Sequence, residues 1–440
     1  MKKSYKYLIL AAGVSLFATS CKEKEKEVFV TEYVDSSLDV PSKYEFDSRF
    51  DAGVSSVSHG GQTVRNLLIQ DIKTIISNEA NDAPNSIKSS VLDLYNYADN
   101  GKTTLTKAGT YSLLVDVYEN ISSGKSLSGK IDSDVVIGIS GSKTADDLIN
   151  DWLDQIDQNI ANGKKNEAIY ITADSIDLNQ MINKVLTGAV TYSQGVGKYL
   201  NNVVTEDNDS RKGGTSVYTT AEHVWDEAFG YFGAAIDYNS FTNDDLASKN
   251  GGVIYKDANG DGNIDFTTEY NFGLSTNAGK RERVTLTTGI ETHLRRDTYN
   301  AFLAGRAALT NQRDSEEIRI YARQAAQSWE KIIAATAIHY INEVKGDLQA
   351  RIDGPISSDD QYDYPKHWSE LKGFLIALQY GSADYQLISE SDLTAIHTEV
   401  GEKPELVNYA AYKTTLEGVA DNLRMIYNFD ETNVSNFRVR

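Results

Sequence analysis

Three groups of side chains in this sequence have the types and spacing to do chemistry. In Glu222-His-Val-Trp-Asp-Glu, His223 stands three residues before Asp226 and four before Glu227. Positions three and four apart share a face of a helix, so one imidazole would meet a carboxylate there. His367 and Glu370 repeat the arrangement three residues apart. Imidazole with carboxylate suits iron, zinc or another divalent metal, and facing helices that each offer such a pair build metal sites inside bundles. The same pairs equally suit buried hydrogen bonds that fix helix register. A further pair, His293 with Asp297, lies beside Glu291, Arg295 and Arg296.

The third group is Asp257-Ala-Asn-Gly-Asp-Gly-Asn-Ile-Asp265. This is the spacing of an EF-hand-type calcium loop. Oxygens of Asp257, Asn259 and Asp261, the Asn263 carbonyl and Asp265 would converge on a hard cation, with Gly262 permitting the sharp turn. Ile264 would anchor the loop to the protein. Thr268 stands where that motif has a bidentate Glu, and Glu269 follows one residue late. A structural Ca²⁺ site is one reading; an Asx-rich turn that binds nothing is the other.

These groups need elements to hold them, and the chain reads as mostly α. Val64, Leu68, Ile72 and Ile75 recur at helical spacing over 61–77, after a loop containing His59. A second helix is expected over 105–121. Thr144 and Asp147 resemble a capping box, opening a helix with Ile149, Leu153, Ile156 and Ile160 that Gly163 ends. Further helices are expected over 178–200, 219–236, 291–310, 314–345, 365–380 and 411–427. His339 reads as a packed, hydrogen-bonded helix residue, and Arg306 as an inward cation neutralising a buried carboxylate. Residues 239–285, rich in Asn, Asp, Gly and Thr, read as a long insertion between helices. No repeat of 20 to 50 residues indicates a solenoid.

The ends and the composition narrow the setting. Lys2, Lys3 and Lys6 precede an apolar run, and Ala18-Thr19-Ser20 leads into Cys21. Small residues before a cysteine resemble a bacterial lipoprotein signal, so residues 1–20 are expected to be removed and Cys21 lipidated; an ordinary cleaved signal with an incidental cysteine is the other reading. Residues 21–42 then form a polar tether and 43–440 the folded part. Cys21 is the single cysteine, which excludes an internal disulfide and a thiolate metal cluster. The 440 residues carry a net charge of −20, which argues against nucleic acid as a partner.

Glu222-His-Val-Trp-Asp-Glu-Ala-Phe-Gly-Tyr-Phe-Gly233, Ala301-Phe-Leu-Ala-Gly-Arg306 and Lys366-His-Trp-Ser-Glu-Leu-Lys-Gly373 carry a family resemblance. They are similar to a family of lipoproteins of unknown function related to the imelysins. The resemblance spans most of residues 44–427 and implies two packed helical bundles. It also implies iron uptake at the cell envelope, alongside an outer-membrane transport system. His367-x-x-Glu370 corresponds to the family's His-x-x-Glu motif, although Pro365 and Lys366 stand where that motif has a glycine.

Three functions follow as expectations. The first is a lipid-anchored, non-enzymatic outer-membrane protein serving iron or haem acquisition, with Ca²⁺ in the 257–269 loop. The second is an imelysin-like metal-dependent hydrolase or peptidase using His367 and Glu370. The third is a surface module that binds glycan or protein through some of its 26 tyrosines.

Overall fold

The computed structural model describes residues 37–79, 86–358 and 360–438. The signal segment, Cys21 and most of the tether lie outside them. Leu38 is already buried in the core, so folded structure begins ahead of residue 43.

The chain opens with α1 (Gly60–Glu79), α2 (Ile87–Tyr95), the short strand β1 (Ser112–Leu113) and α3 (Tyr118–Ile121). Next come α4 (Ala145–Ala161) and α5 (Leu178–Leu186), which runs on as a π-helical stretch over Thr187–Leu200. The central region holds α6 (Thr220–Phe232), α7 (Asn243–Ala247), β2 (Asn263–Ile264), α8 (Gly273–Glu282) and α9 (Thr285–Thr288). The last part is a run of helices: α10 (Leu294–Thr310), α11 (Ser315–Asp353), α12 (Asp363–Ala377), α13 (Glu390–Val400), α14 (Tyr409–Tyr427) and α15 (Glu431–Asn436).

The axis of the molecule is α11. Its 39 residues span roughly 58 Å at 1.5 Å per residue. Asp314 caps it by accepting from the Glu316 and Glu317 amides, satisfying donors that a helix start leaves free. It packs against α10, α12, α14 and α8, and Trp329, Ile332, Ile333 and Ile338 on it are fully buried. The buried apolar side chains form one contiguous core.

The expected capping box is present on α4, where Thr144 and Asp147 cap each other's backbone. A second one starts α6, from Thr219 and Glu222. Gly233 ends α6 at φ +74°, a left-handed conformation that glycine adopts without steric cost. Trp225, Phe229 and Phe232 on α6 are fully buried, as their spacing predicts.

Two expectations need correction. The helix expected over 105–121 shrinks to α3. Its upstream residues are drawn instead to the fully buried Asp71 carboxylate. Thr104, Thr106 and Tyr118 donate hydroxyls to it at 2.6, 2.7 and 2.6 Å, and the Leu105 amide at 2.8 Å. A buried charge must be satisfied internally, and that requirement overrides local helical periodicity. The 239–285 insertion is likewise more ordered than its composition suggests, holding α7, β2 and α8. Its strand β2 pairs in parallel with β1, Ser112 opposite Asn263 and Leu113 opposite Ile264.

Helix α12 begins at Asp363, two residues ahead of Pro365. Among the described residues, no helix is long and apolar enough to cross a membrane.

Candidate functional site

The two expected His/acid pairs prove to be different things. On α6, Asp226 turns away from His223. Its Oδ1 accepts from Arg306 Nε at 2.9 Å and from the Tyr44 hydroxyl at 2.8 Å, and its Oδ2 from the Ser58 amide at 3.1 Å. Arg306 also reaches Glu222 at 3.0 Å and the Ser56 hydroxyl at 2.7 Å. Arg306, Glu222 and Asp226 are all fully buried, so Arg306 neutralises carboxylates as its setting suggested. Burial pushes Asp226 up to about 6 even with Arg306 beside it.

His223 is left with Glu227, Nε2 to Oε2 3.8 Å, beyond a true hydrogen bond. Its ring stacks on Tyr218 with centroids 4.7 Å apart, and Glu227 takes a 2.8 Å bond from Gln62 instead. Burial depresses His223 to about 4. His59 lies in the loop before α1, as expected, buried against Phe229 and depressed to about 4 by burial.

On α12, His367 does not partner Glu370. Its Nδ1 lies 2.8 Å from Asp347 Oδ2 on α11. Glu370 accepts from the Tyr340 hydroxyl at 2.9 Å and pairs with Lys184 of α5 at 3.5 Å. The expected i,i+3 partnership loses to others because α11 brings the Asp347 acceptor to His367, while α5 and α11 bring the Lys184 and Tyr340 donors to Glu370. His223 and His367 share no partner among the described residues. No three His, Cys, Asp or Glu side chains there are arranged to hold one metal ion. His339 is hydrogen-bonded as expected, to the Phe437 carbonyl at 2.6 Å. His293 pairs with Glu291 at 3.1 Å rather than with Asp297.

Around Glu370 the helices leave a cleft. One cavity of about 360 Å³ is lined by Lys73 of α1, by His339, Tyr340 and Glu343 of α11, and by Asp363, Lys366, His367 and Glu370 of α12. A second, of about 550 Å³, shares Asp363 and Lys366 and continues past Ser77, Asp177, Asn179 and Gln180. The close approach of α5 to α12 depends on Gly373, where a Cβ would collide with the Lys184 side chain. Asp177 caps α5 by accepting from the Gln180 amide at 3.0 Å, and its own amide donates to Ser369 of α12.

The electrostatics of the cleft are strongly perturbed. Burial pushes Lys184 down to about 7, with Lys73 adding to the fall and Glu370 opposing it. Lys280 on α8 is pushed down to about 8 by burial and by neighbouring Arg281 and Lys73. Burial would raise Glu370, but Lys184, Lys73, Lys366 and His367 together hold it below the ordinary glutamate value. Asp177 is raised to about 7, chiefly by burial. Shifts of this kind gather where function needs tuned groups. Sequence reasoning missed Lys73, Lys184, Lys280, Tyr340 and Asp347. The one available signal was Lys184 itself, a cation inside the apolar run Met181, Ile182, Val185 and Leu186.

The acidic loop folds on itself. Asp257 accepts from the Gly260, Asp261 and Gly262 amides at 2.7, 3.1 and 3.0 Å. Asp261 accepts from the Asn263 amide, and Asn259 from the Asp261 amide. The late Glu269 closes the loop, taking the Ala258, Asn259 and Asp265 amides. Ile264 is fully buried and anchors the loop.

The family model described as a domain of unknown function (DUF4856) matches residues 41–430. No curated protein and no solved structure matches the chain.

Proposed function

This chain belongs to the DUF4856 family of domains of unknown function, and from that premise we propose a non-enzymatic, lipid-anchored binding protein of the cell envelope. Its ligand is a small polar molecule held in the cleft between α1, α5, α11 and α12. The observation that carries the reading is the pair of adjoining cavities, about 360 and 550 Å³, that share Asp363 and Lys366. Pockets of this size accommodate small molecules, and the lining is overwhelmingly polar. Asn179 and Gln180, at the wall of the second cavity, each hold a buried side-chain oxygen without a partner. A ligand donor would satisfy them.

A hydrolase or transition-metal site at His367 and Glu370 fits these residues poorly. Glu370 is already engaged by Lys184 and Tyr340. A divalent ion beside Glu370 would also face the repulsion of Lys73, Lys184 and Lys366.

The test is native mass spectrometry of the protein extracted from its own membranes. Wild type is expected to release a small polar molecule on denaturation. A Ser77→Trp variant, which fills the second cavity from an exposed helix position, is expected to have lost it. Retention by that variant places the molecule elsewhere, and its absence from wild type removes the support for the reading. The anchor is tested separately: Cys21→Ala should leave the membrane fraction, because each buried acyl CH₂ adds about 0.8 kcal/mol of membrane affinity.

A second reading concerns Ca²⁺ in the 257–269 loop, as a structural ion. It is favoured by the gathering of Asp257, Asp261 and Asp265 in one exposed turn held from behind by Ile264 and Glu269.

A further inference from the structure

We infer that the ligand of this cleft is a small organic anion, carrying a carboxylate or a phosphate, received by Lys73 and Lys366 with Lys184, Lys280 and Arg281 behind them. The inference rests on the cleft being the ligand site and adds the chemical class of its occupant.

The chain as a whole carries a net charge of −20, yet the surroundings of Glu370 run the other way. Lys73, Lys184, Lys366 and His367 all act on Glu370, and Lys280 and Arg281 act on the same group from α8. Three carboxylates line the first cavity: Glu343, Asp363 and Glu370. Glu343 is already engaged by Arg438 at 3.5 Å and His339 at 4.0 Å. Glu370 is engaged by Lys184. Asp363 remains, against Lys73 and Lys366 of the same lining, neither of which has a salt-bridge partner among the described residues. Arg281 spends one nitrogen on the Phe437 carbonyl, while its buried Nε has no partner.

Like charges gathered in a partly desolvated site repel, and the protein relieves this by weakening their hold on protons. An anion relieves it better. Charge-assisted hydrogen bonds from ammonium groups to carboxylate or phosphate are the stronger class, and low solvent exposure strengthens them further. The first cavity, about 360 Å³, has the scale of a small molecule.

Anion binding should draw protons onto the cleft. At mildly alkaline pH, Lys184 and Lys280 are partly neutral. The charged groups acting on them are Lys73 from α1, Lys249 just after α7, Arg281 from α8 and Glu370 from α12, besides each other. A bound anion raises both lysines, so binding is accompanied by proton uptake.

The experiment is isothermal titration calorimetry on the full chain. The probes are inorganic phosphate, glycerol phosphate, succinate and citrate at millimolar concentration, with glycerol and glucose as uncharged controls. At least one anion is expected to bind, and the phosphate and carboxylate arms separate the two head groups. Affinity should fall about tenfold in Lys73→Gln and in Lys366→Gln, and stay unchanged in Lys403→Gln, whose ammonium pairs with Asp174 elsewhere. Lys366 is exposed, so its variant tests the site with the fold intact. In the wild type at pH about 8, the heat should differ between buffers of different ionisation enthalpy, reporting proton uptake. Binding of a control but of no anion overturns the inference and leaves the cleft as the ligand site. The same holds if native mass spectrometry finds a molecule in the cleft and no anion probe binds. Anion binding unaffected by both cleft variants overturns the inference as well. If neither method detects a ligand, both readings fall together.

Discussion

The Lys184 ammonium lies 3.5 Å from the Glu370 carboxylate, which also accepts the Tyr340 hydroxyl at 2.9 Å. One carboxylate thereby joins three helices, α5, α11 and α12, in the wall of the cleft. Removing one partner of a buried ion pair costs far more than the pair contributes, because the other charge is left uncompensated.

Glu370→Gln is therefore expected to destabilise the fold by about 3 kcal/mol near neutral pH and below. Lys184 titrates at about 7 in the folded protein and about 10.4 unfolded. Between those values the unfolded chain holds the extra proton, so this group makes stability rise with pH across that window. Once Lys184 is neutral it no longer needs Glu370, so the deficit of the variant should shrink above the window's lower edge. Urea denaturation at about pH 6 and about pH 9 reads the difference. An equal deficit at both would remove Lys184 from the account.

His397 gives a pH effect of its own. Its ring is depressed to about 3, first by burial and then by Lys372, whose Nζ lies 3.0 Å from Nδ1. An unfolded imidazole titrates near 6.5. The folded state thus binds fewer protons between those values, and the stabilisation present above the unfolded pKa is lost as pH falls. His397→Asn keeps an acceptor for Lys372 and cannot titrate. Relative to wild type it should gain about 2 kcal/mol between pH 7 and pH 5. Parallel stability profiles for the two proteins would rule this out.

Gly305→Ala tests the packing that seats α6. A Cβ there would collide with the ring of Trp225, which is fully buried and donates to the Phe302 carbonyl at 3.0 Å. Overpacking of this kind costs about 1–3 kcal/mol. A lowered melting temperature is expected, with the Trp fluorescence of the native state altered. A variant as stable as wild type would mean that α10 can draw back from α6.

Ca²⁺ should raise the melting temperature if it binds the 257–269 loop in the folded state alone, since such ligands stabilise by mass action. Asp261→Ala should abolish the rise. Identical melting curves in excess Ca²⁺ and in chelator would leave the loop as an Asx turn held by its own amides.

Much of this protein was legible in its sequence because it is local. Helical periodicity located α1, α4, α6, α10, α11, α12 and α14. Thr144 and Asp147 announced a capping box, and the spacing of Asp257 through Asp265 announced a tight turn with a buried Ile264 behind it. Each depends on residues a few positions apart, where chain geometry alone fixes who meets whom. Arg306 was readable as an inward cation because a charge amid Ala301, Phe302, Leu303 and Ala304 must find a partner.

The partners themselves were decided by the tertiary structure. His223 and Asp226 share a helix face, yet Arg306 and Tyr44, eighty and more residues away, take the carboxylate. His367 goes to Asp347 and Glu370 to Lys184, because a buried polar group binds the best-placed partner that packing delivers, whatever its distance in sequence. The 105–121 stretch gave up its helix for Asp71 on the same grounds. The cleft is wholly a product of packing: Lys73, Lys184, Lys280 and Lys366 lie on four helices, and only the fold brings their charges together.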